Sequence, residues 1–208
     1  MLGIRVTVPV ACFRKGMARE FLETELLPPP ATCYGFLLSL VGETDRRRHV
    51  GVRICPVLVA AERPSVVLRT VWRIKALPLG SRGNERPDYQ QLLTNVELVV
   101  WMDSSAEAAD GPALEERVIT ALTAPENIKR FGGLSLGEST HLVDEVTRFA
   151  GDRGATGRAF LQADDGRLTF PVWVDHVGSA GTRYVTGDLC ESPLLPPDPA
   201  QMPIIAPT

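Results

Sequence analysis

The segment of residues 129–139 combines residue types that suit a phosphate group. It holds two cations, an aromatic ring, three glycines and two hydroxyls: Lys129, Arg130, Phe131, Gly132, Gly133, Ser135, Gly137 and Ser139. Successive N–H groups of a glycine-rich turn can form a nest for an oxyanion, and neighbouring cations add charge-assisted hydrogen bonds to phosphate. The segment has neither the Gly-Lys-Ser/Thr ending of a P-loop nor the spacing of a dinucleotide-binding turn. Composition leaves two interpretations open: a phosphodiester-binding loop and a plain turn between a helix and a strand.

Tyr34 and His141 are the residues that could add cleavage chemistry to this loop. Metal-independent RNA cleavage needs a base for the 2′-hydroxyl, an acid for the 5′-oxygen and a cation near the phosphate. His141 begins a predicted strand over residues 141–149, where a structural or surface histidine is the more common case. We therefore expect binding without catalysis, with a metal-independent endoribonuclease as the alternative.

The remaining composition points to a chain without a cofactor or a membrane segment. The four cysteines contain no C-x-x-C pair, the three histidines have no metal-ligand spacing, and no carboxylate cluster suggests Mg²⁺. No apolar run approaches the roughly 20 residues of a membrane-spanning helix, and the N-terminus lacks the uniform apolar region of a signal peptide. We expect no cofactor, reduced thiols and a cytoplasmic location.

Charge is distributed unevenly along the 208 residues. Residues 1–100 carry 14 Lys/Arg against 9 Asp/Glu, and residues 101–208 carry 8 against 16, which gives the net charge of −3. The asymmetry fits one side that faces a polyanion and an acidic side for solvent or protein partners. Further candidate RNA contacts lie in a loop, on one face of a predicted strand over residues 65–75, and in a Gly/Pro-rich excursion over residues 76–88: Arg14, Lys15, Arg69, Arg73, Lys75, Arg82 and Arg86.

The elements that would position these residues predict an α+β fold. The pattern indicates strands over residues 2–10, 50–61, 65–75, 95–102 and 141–149, and helices over residues 31–42 and 112–122. Thr32 is the expected N-cap of the first helix and Gly42 its stop. After a flexible turn at residues 151–157 we expect a hairpin of residues 159–162 and 168–174, a last strand over residues 184–189, and a tail with six prolines that forms no regular element. This order is that of a ferredoxin-like, RRM-like βαββαβ domain with an arm inserted between its middle strands and a β-rich C-terminal extension.

Three segments together resemble the Cas-five family of CRISPR-associated proteins, part of the RAMP superfamily. They are Leu-Pro-Pro-Pro-Ala-Thr-Cys-Tyr-Gly-Phe-Leu at residues 27–37, Arg-Pro-Asp-Tyr-Gln-Gln-Leu-Leu at residues 86–93, and the glycine-rich loop. The resemblance covers about residues 1–150, and is greatest to type I systems that have a separate Cas-six nuclease. It implies an RRM-like domain over residues 1–150 with a β-hairpin thumb at about residues 76–92, an extension over residues 151–191, and a Pro-rich tail over residues 192–208.

The resemblance also implies a function. Such a chain would be a Cascade subunit that holds the 5′ handle of CRISPR RNA and caps the complex. It would contact the Cas-seven-type backbone and the Cas-eight-type large subunit, and would reach target DNA through the complex. Residues 130–139 would hold the handle, with Thr32 and Tyr34 near it. The type I-C members of the family would imply a nuclease that uses Tyr, Lys and an adjacent His, but this chain has no Lys-His neighbours. A protein-interaction module without nucleic acid remains a further alternative, which the acidic pI favours.

Overall fold

The computed structural model of the chain describes residues 1–16, 18, 20–72, 75, 78–108 and 111–207, and of residues 71 and 82 only the backbone. Two helices lie in this part of the chain, α1 (Pro30–Leu40) and α2 (Leu114–Thr123). The strands are β1 (Leu2–Ala11), β2 (Phe13–Arg14), β3 (Phe21–Leu22), β4 (Thr24–Glu25), β5 (Arg53–Ala60), β6 (Ser65–Trp72), β7 (Glu85–Asp103), β8 (Glu145–Phe149), β9 (Asp152–Gln162), β10 (Leu168–Trp173) and β11 (Arg183–Leu194). The fold is α+β with mostly antiparallel strands, and neither of these helices has both the length and the apolar character to cross a membrane.

One long sheet runs through the molecule in the order β10-β11-β9-β5-β7-β1-β8. Strand β7 is 19 residues long and has two sets of neighbours. Its second half pairs antiparallel with β1 and β5, whereas residues 85–92 pair antiparallel with β6, and Tyr89 and Gln90 pair in parallel with β3. Strand β6 and residues 85–92 therefore form a hairpin, called here the β6–β7 hairpin. The expected excursion over residues 76–88 is shorter than predicted, because the strand already begins at Glu85.

Helix α1 is buried on most of its surface, as its apolar sequence predicts, and packs on β5 and β10. The expected N-cap at Thr32 is wrong. The helix begins at Pro30, whose fixed φ and missing N–H suit a first turn, and Pro29 takes the cap position without a side-chain hydrogen bond. Thr32 lies inside the helix, with its N–H donating to the Pro29 carbonyl at 2.8 Å.

The sequence also misplaced three segments beyond α2. The strand predicted from residue 141 begins at Glu145, so His141 lies in the preceding turn. Residues 152–157, expected as a flexible turn, belong to β9. Strands β9 and β10 do not form the predicted hairpin, because β11 lies between them and pairs with both.

The prediction that the proline-rich tail forms no regular element is wrong at its start, because β11 continues to Leu194 and pairs there with β9. Beyond Leu194 the tail is packed against the start of β5. Met202 and Ile205 are buried, and a single 3-10 turn covers Pro199–Gln201. The Ile54 N–H donates to the Pro203 carbonyl at 2.9 Å, and the Ile205 N–H donates to the Val52 carbonyl at 2.9 Å. Prolines exclude a long regular element here, but alternate backbone groups still pair with the sheet.

Candidate functional site

The glycine-rich loop is anchored at its second half and open at its first. Leu136 is fully buried in the main core. Its N–H donates to the His141 carbonyl at 3.1 Å, and the Val143 N–H donates to the Leu134 carbonyl at 2.9 Å, so the chain returns on itself around an isolated bridge between Ser135 and Leu142. This small closed turn fixes where the preceding residues emerge.

Two glycines of the loop have different roles. Gly137 has φ +101°, and a Cβ there would lie 2.7 Å from the Cys12 carbonyl oxygen, so this glycine is needed for close packing against the chain after β1. Gly132 has φ +76° with open space where a Cβ would lie. The conformation at Gly132 therefore serves the exposed part of the loop, where backbone N–H groups could face an anion.

The open half of the loop presents charge and an aromatic ring to solvent. Lys129 and Arg130 are exposed, and Phe131 is completely exposed. Within the described part of the chain, neither cation forms a salt bridge with a protein carboxylate. Both faces of the Phe131 ring are free, and the ring lies beside two cations, which makes Phe131 a candidate stacking residue.

A cleft of about 400 Å³ lies beside this loop. It is bordered by one side of α1 from Ala31 to Ser39, the segment after this helix, the loop, and the end of β10 with the residues that follow it. The lining includes Thr32, Tyr34, Arg46, Ser135, Gly137, Trp173 and His176. The Arg46 guanidinium lies 3.9 Å from the centroid of the Trp173 ring, and its Nη2 donates to the Val174 carbonyl at 2.7 Å. No acidic residue lies in the first turn of α1, and the Thr32 and Cys33 N–H groups donate to the Pro29 carbonyl.

The two candidate catalytic residues are both engaged in structural hydrogen bonds. The Tyr34 hydroxyl donates to the Arg46 carbonyl at 2.8 Å, and burial raises the pKa of Tyr34 above its usual range. His141 is buried, and its Nδ1 accepts a hydrogen bond from the Cys12 N–H at 3.1 Å. Burial also lowers the pKa of His141, which favours the neutral ring that this bond requires.

The other predicted RNA contacts fall into different groups. Arg69 pairs with Glu138 at 2.9 Å, Arg86 pairs with the buried Asp88 at 2.7 Å, and Lys15 pairs with Glu23 at 3.5 Å. Three more contribute nothing to the cleft: Arg14 donates to the Ala18 carbonyl, Lys75 lies exposed beyond the end of β6, and Ser139 is exposed at the loop end. Gly133 is exposed with the Leu142 side chain close to it. Arg73 and the side chain of Arg82 lie outside the described part of the chain.

Sequence reasoning missed Trp173 and His176, and it interpreted Arg46 as a loop residue with an RNA or partner contact as the alternative; all three line the cleft. Arg46 belongs to a run of three arginines, which is usually a solvated loop, and Trp173 lies more than a hundred residues away in β10. Only the packing of β10 on α1 brings these side chains together. In the described part of the chain, no group of three or more His, Cys, Asp or Glu side chains could hold a metal ion.

Comparisons with known proteins identify relatives of the chain. No protein-family model matches it. The CRISPR-associated protein Cas5 of Myxococcus xanthus strain DK1622 is 52% identical over 208 residues, which cover 99% of this chain and 97% of that protein. The fold is similar to a chain of a CRISPR RNA-guided surveillance complex (TM-score 0.61, 13% identity, 94% of this chain and 90% of that chain). It is also similar to a Cas protein known from its crystal structure (TM-score 0.53, 14% identity, 95% and 98% coverage). The near-complete match at 52% identity shows that the chain belongs to the Cas5 family of CRISPR-associated proteins.

Proposed function

We propose that this chain is a non-catalytic subunit of a Cascade-type effector complex and that it binds the 5′ handle of CRISPR RNA. Membership of the Cas5 family and the similarity of the fold to a chain of a CRISPR RNA-guided surveillance complex support a place in such a complex. On this proposal the chain caps the assembly in the cytoplasm, contacts a Cas-seven-type backbone subunit and a Cas-eight-type large subunit, and reaches target DNA through them.

The observation that carries the proposal is the pair Lys129 and Arg130, which is exposed at the open half of an anchored loop and forms no salt bridge with the described residues. Leu136 and Gly137 hold the loop against the core, so the two cations and Phe131 project from a fixed base. Phosphate contacts give affinity and position, and an aromatic ring adds stacking for an unpaired base. This combination suits a short single-stranded RNA segment.

The adjoining cleft supports the proposal by its chemistry. The Arg46 guanidinium, which lies over the buried Trp173 ring, would attract a phosphate. Thr32 also lines the cleft and can donate or accept a hydrogen bond. A handle nucleotide that follows the loop would enter this cleft next.

The sheet order supports a ferredoxin-like, RRM-like domain as the scaffold. Strands β5-β7-β1-β8 are neighbours, with α1 and α2 inserted after β1 and β7 along the chain. This is the order that a βαββαβ unit requires. On the same proposal the β6–β7 hairpin takes the role of the thumb.

The bonds that Tyr34 and His141 make support the proposal of binding without cleavage. A general base needs an accessible lone pair, but the Nδ1 of His141 is occupied by the Cys12 N–H and the ring is buried. The Tyr34 hydroxyl already donates its hydrogen bond to the Arg46 backbone carbonyl. The experiment incubates the purified chain with labelled repeat RNA in EDTA. We expect a retarded complex and intact RNA; a discrete metal-independent cut would contradict the non-catalytic proposal, and no complex would contradict the RNA role.

A further inference from the structure

The carboxylate of Glu138 joins the glycine-rich loop to the β6–β7 hairpin. Its Oε2 accepts from Arg69 of β6 at 2.9 Å, and its Oε1 accepts from the Gln90 side chain of β7 at 2.9 Å. The Gln90 amide oxygen accepts from the same nitrogen of Arg69, so the three side chains form a closed ring of hydrogen bonds, called here the clasp. Gln90 is almost completely buried, so opening the clasp would leave a buried amide without these partners.

Strand β6 depends on the clasp for its connection to the rest of the chain. Among the described residues, β6 pairs with β7, and the Arg69–Glu138 contact is its polar side-chain bond to a residue outside the hairpin. The described apolar side chains of β6 are exposed and do not belong to the core: Val66, Val67, Leu68 and Trp72. The other bonds reach β7, where residues 89–90 pair with β3 and the Gln91 side chain accepts from the Thr24 N–H at 3.1 Å. These bonds hold one strand of the hairpin, and Glu138 holds the other.

The backbone on both sides of Glu138 is anchored to the core. Gly137 packs against the Cys12 carbonyl, where a Cβ would lie 2.7 Å from the oxygen. The Glu138 carbonyl accepts from the His141 N–H at 2.9 Å, and the His141 ring accepts from the Cys12 N–H. The carboxylate therefore extends from a fixed base, so the position of the loop sets the position of the hairpin.

The charge of Glu138 is explained by the hairpin and not by anion binding. Glu138 is the one acidic residue of the segment 129–139, whose other charged residues are Lys129 and Arg130. A carboxylate opposes phosphate binding in a loop, because like charges repel. The Arg69 guanidinium neutralises this carboxylate at 2.9 Å. An uncharged residue would avoid the repulsion, but it would lose the charge-assisted hydrogen bond to β6.

We propose that Glu138 is a positioning residue, which holds the β6–β7 hairpin at one fixed angle to the glycine-rich loop before RNA binds. The inference rests on the proposed function in one respect, because it takes the loop as the RNA contact. It deepens that function, since an RNA strand bound at the loop then meets a hairpin that is already oriented. Binding such an RNA does not have to order the hairpin, which would otherwise lower the affinity.

The experiment measures the distance between the hairpin and the rest of the full chain by double electron–electron resonance, without RNA. Spin labels are attached at Leu68→Cys on β6 and Glu116→Cys on α2, two exposed sites outside the clasp. Cys190→Ser removes the one cysteine that is not buried. We expect a single narrow distance distribution for the parent, and Glu138→Ala should make it at least twice as wide.

Two control variants separate positioning from charge and from stability. Glu126→Ala removes an exposed carboxylate just before the same loop and should leave the width unchanged. The charge swap Arg69→Glu with Glu138→Arg should restore a narrow distribution, because the Gln90 amide can donate to one side chain and accept from the other in either arrangement. The Tm of each variant should stay within a few degrees of the parent, since release of a hairpin is a local opening.

Each other result overturns the inference in a distinguishable way. A distribution as narrow in Glu138→Ala as in Glu126→Ala shows that Glu138 does not set the angle, and so does a charge swap that remains wide. A lower Tm of Glu138→Ala without widening makes Glu138 a structural residue only. A parent distribution that changes when repeat RNA is added shows that the RNA sets the angle. Failure of the parent to bind RNA would refute the proposed function alone, because the distances are measured without RNA.

Discussion

Reversal of both loop charges, Lys129→Glu with Arg130→Glu, is expected to reduce the salt dependence of RNA binding. Both side chains are exposed, and no described carboxylate neutralises them, so each is available for one phosphate. Each phosphate contact to a single strand contributes about 0.7 to the slope of log Kd against log salt, so the slope falls by about 1.4. Between 50 and 200 mM salt the parent then loses roughly sevenfold more affinity than the variant.

The loss of affinity at a fixed salt concentration follows from the same contacts. Two charged hydrogen bonds at about 1.5 kcal/mol each amount to about 3 kcal/mol, which raises Kd roughly 150-fold. The folded structure is not affected, because neither side chain packs against the core. The assay is fluorescence anisotropy with labelled repeat RNA at four salt concentrations, with Tm as the check on folding.

A matched control separates a local contact from net charge. Arg148→Glu with Arg153→Glu changes the net charge equally at two exposed residues outside the loop and the cleft lining. We expect it to shift affinity slightly and leave the slope near that of the parent. An unchanged slope in the loop variant, or an equal decrease in the control, would refute the assignment of phosphate contacts to this loop.

Two further predictions concern stability. Because the folded state lowers the pKa of His141 below 6.5, unfolding takes up a proton and stability falls as pH drops below about 6.5. His141→Asn keeps an acceptor for the Cys12 N–H without titrating, so its Tm should decrease less than that of the parent between pH 7.5 and 5.5, and equal decreases would contradict this. Burial alone would raise the pKa of Glu43, but the hydrogen bond from Arg117 lowers it to about 2. Arg117→Met removes the closer of the two cations that neutralise this carboxylate and should cost about 3 kcal/mol by urea unfolding. Arg48→Met removes the half-exposed partner of the same carboxylate and should cost no more than about 1 kcal/mol; similar losses from both variants would show that burial of Arg117 is irrelevant.

The sequence predicts those elements whose pattern of apolar residues lies within the element itself. In β1, Leu2, Ile4, Val6 and Val8 face the core, so the alternating pattern is direct information about the buried face. Helix α1 likewise follows from an apolar segment that begins after a proline. The pairing of β7 with β6 is not local. Pro87 makes this strand look interrupted in the sequence, because proline has no backbone N–H to donate to a neighbouring strand. The ladder with β3 covers only Tyr89 and Gln90 of β7, so Pro87 lies outside it and its missing N–H is tolerated.

The candidate site was predictable only where its residues are consecutive in the sequence. The loop shows its cations and glycines in consecutive residues, so composition alone indicated an anion nest. It could not indicate that Gly137 serves packing against Cys12 while Gly132 stays open. The Arg46–Trp173 contact depends on β10 packing against α1, and no spacing in the sequence encodes that distance.

Ion pairing is what divides the cations that the sequence treats alike. Arg69 lies on a strand whose basic pattern suggested an RNA contact. In the structure it forms a salt bridge with Glu138 at the end of the glycine-rich loop. The same carboxylate accepts from Gln90, so it joins the loop to the hairpin base. Lys129 and Arg130 lie at the other end of that loop, where no described carboxylate reaches them. Because one end of the loop is neutralised by the hairpin and the other is not, the loop directs its positive charge away from the hairpin.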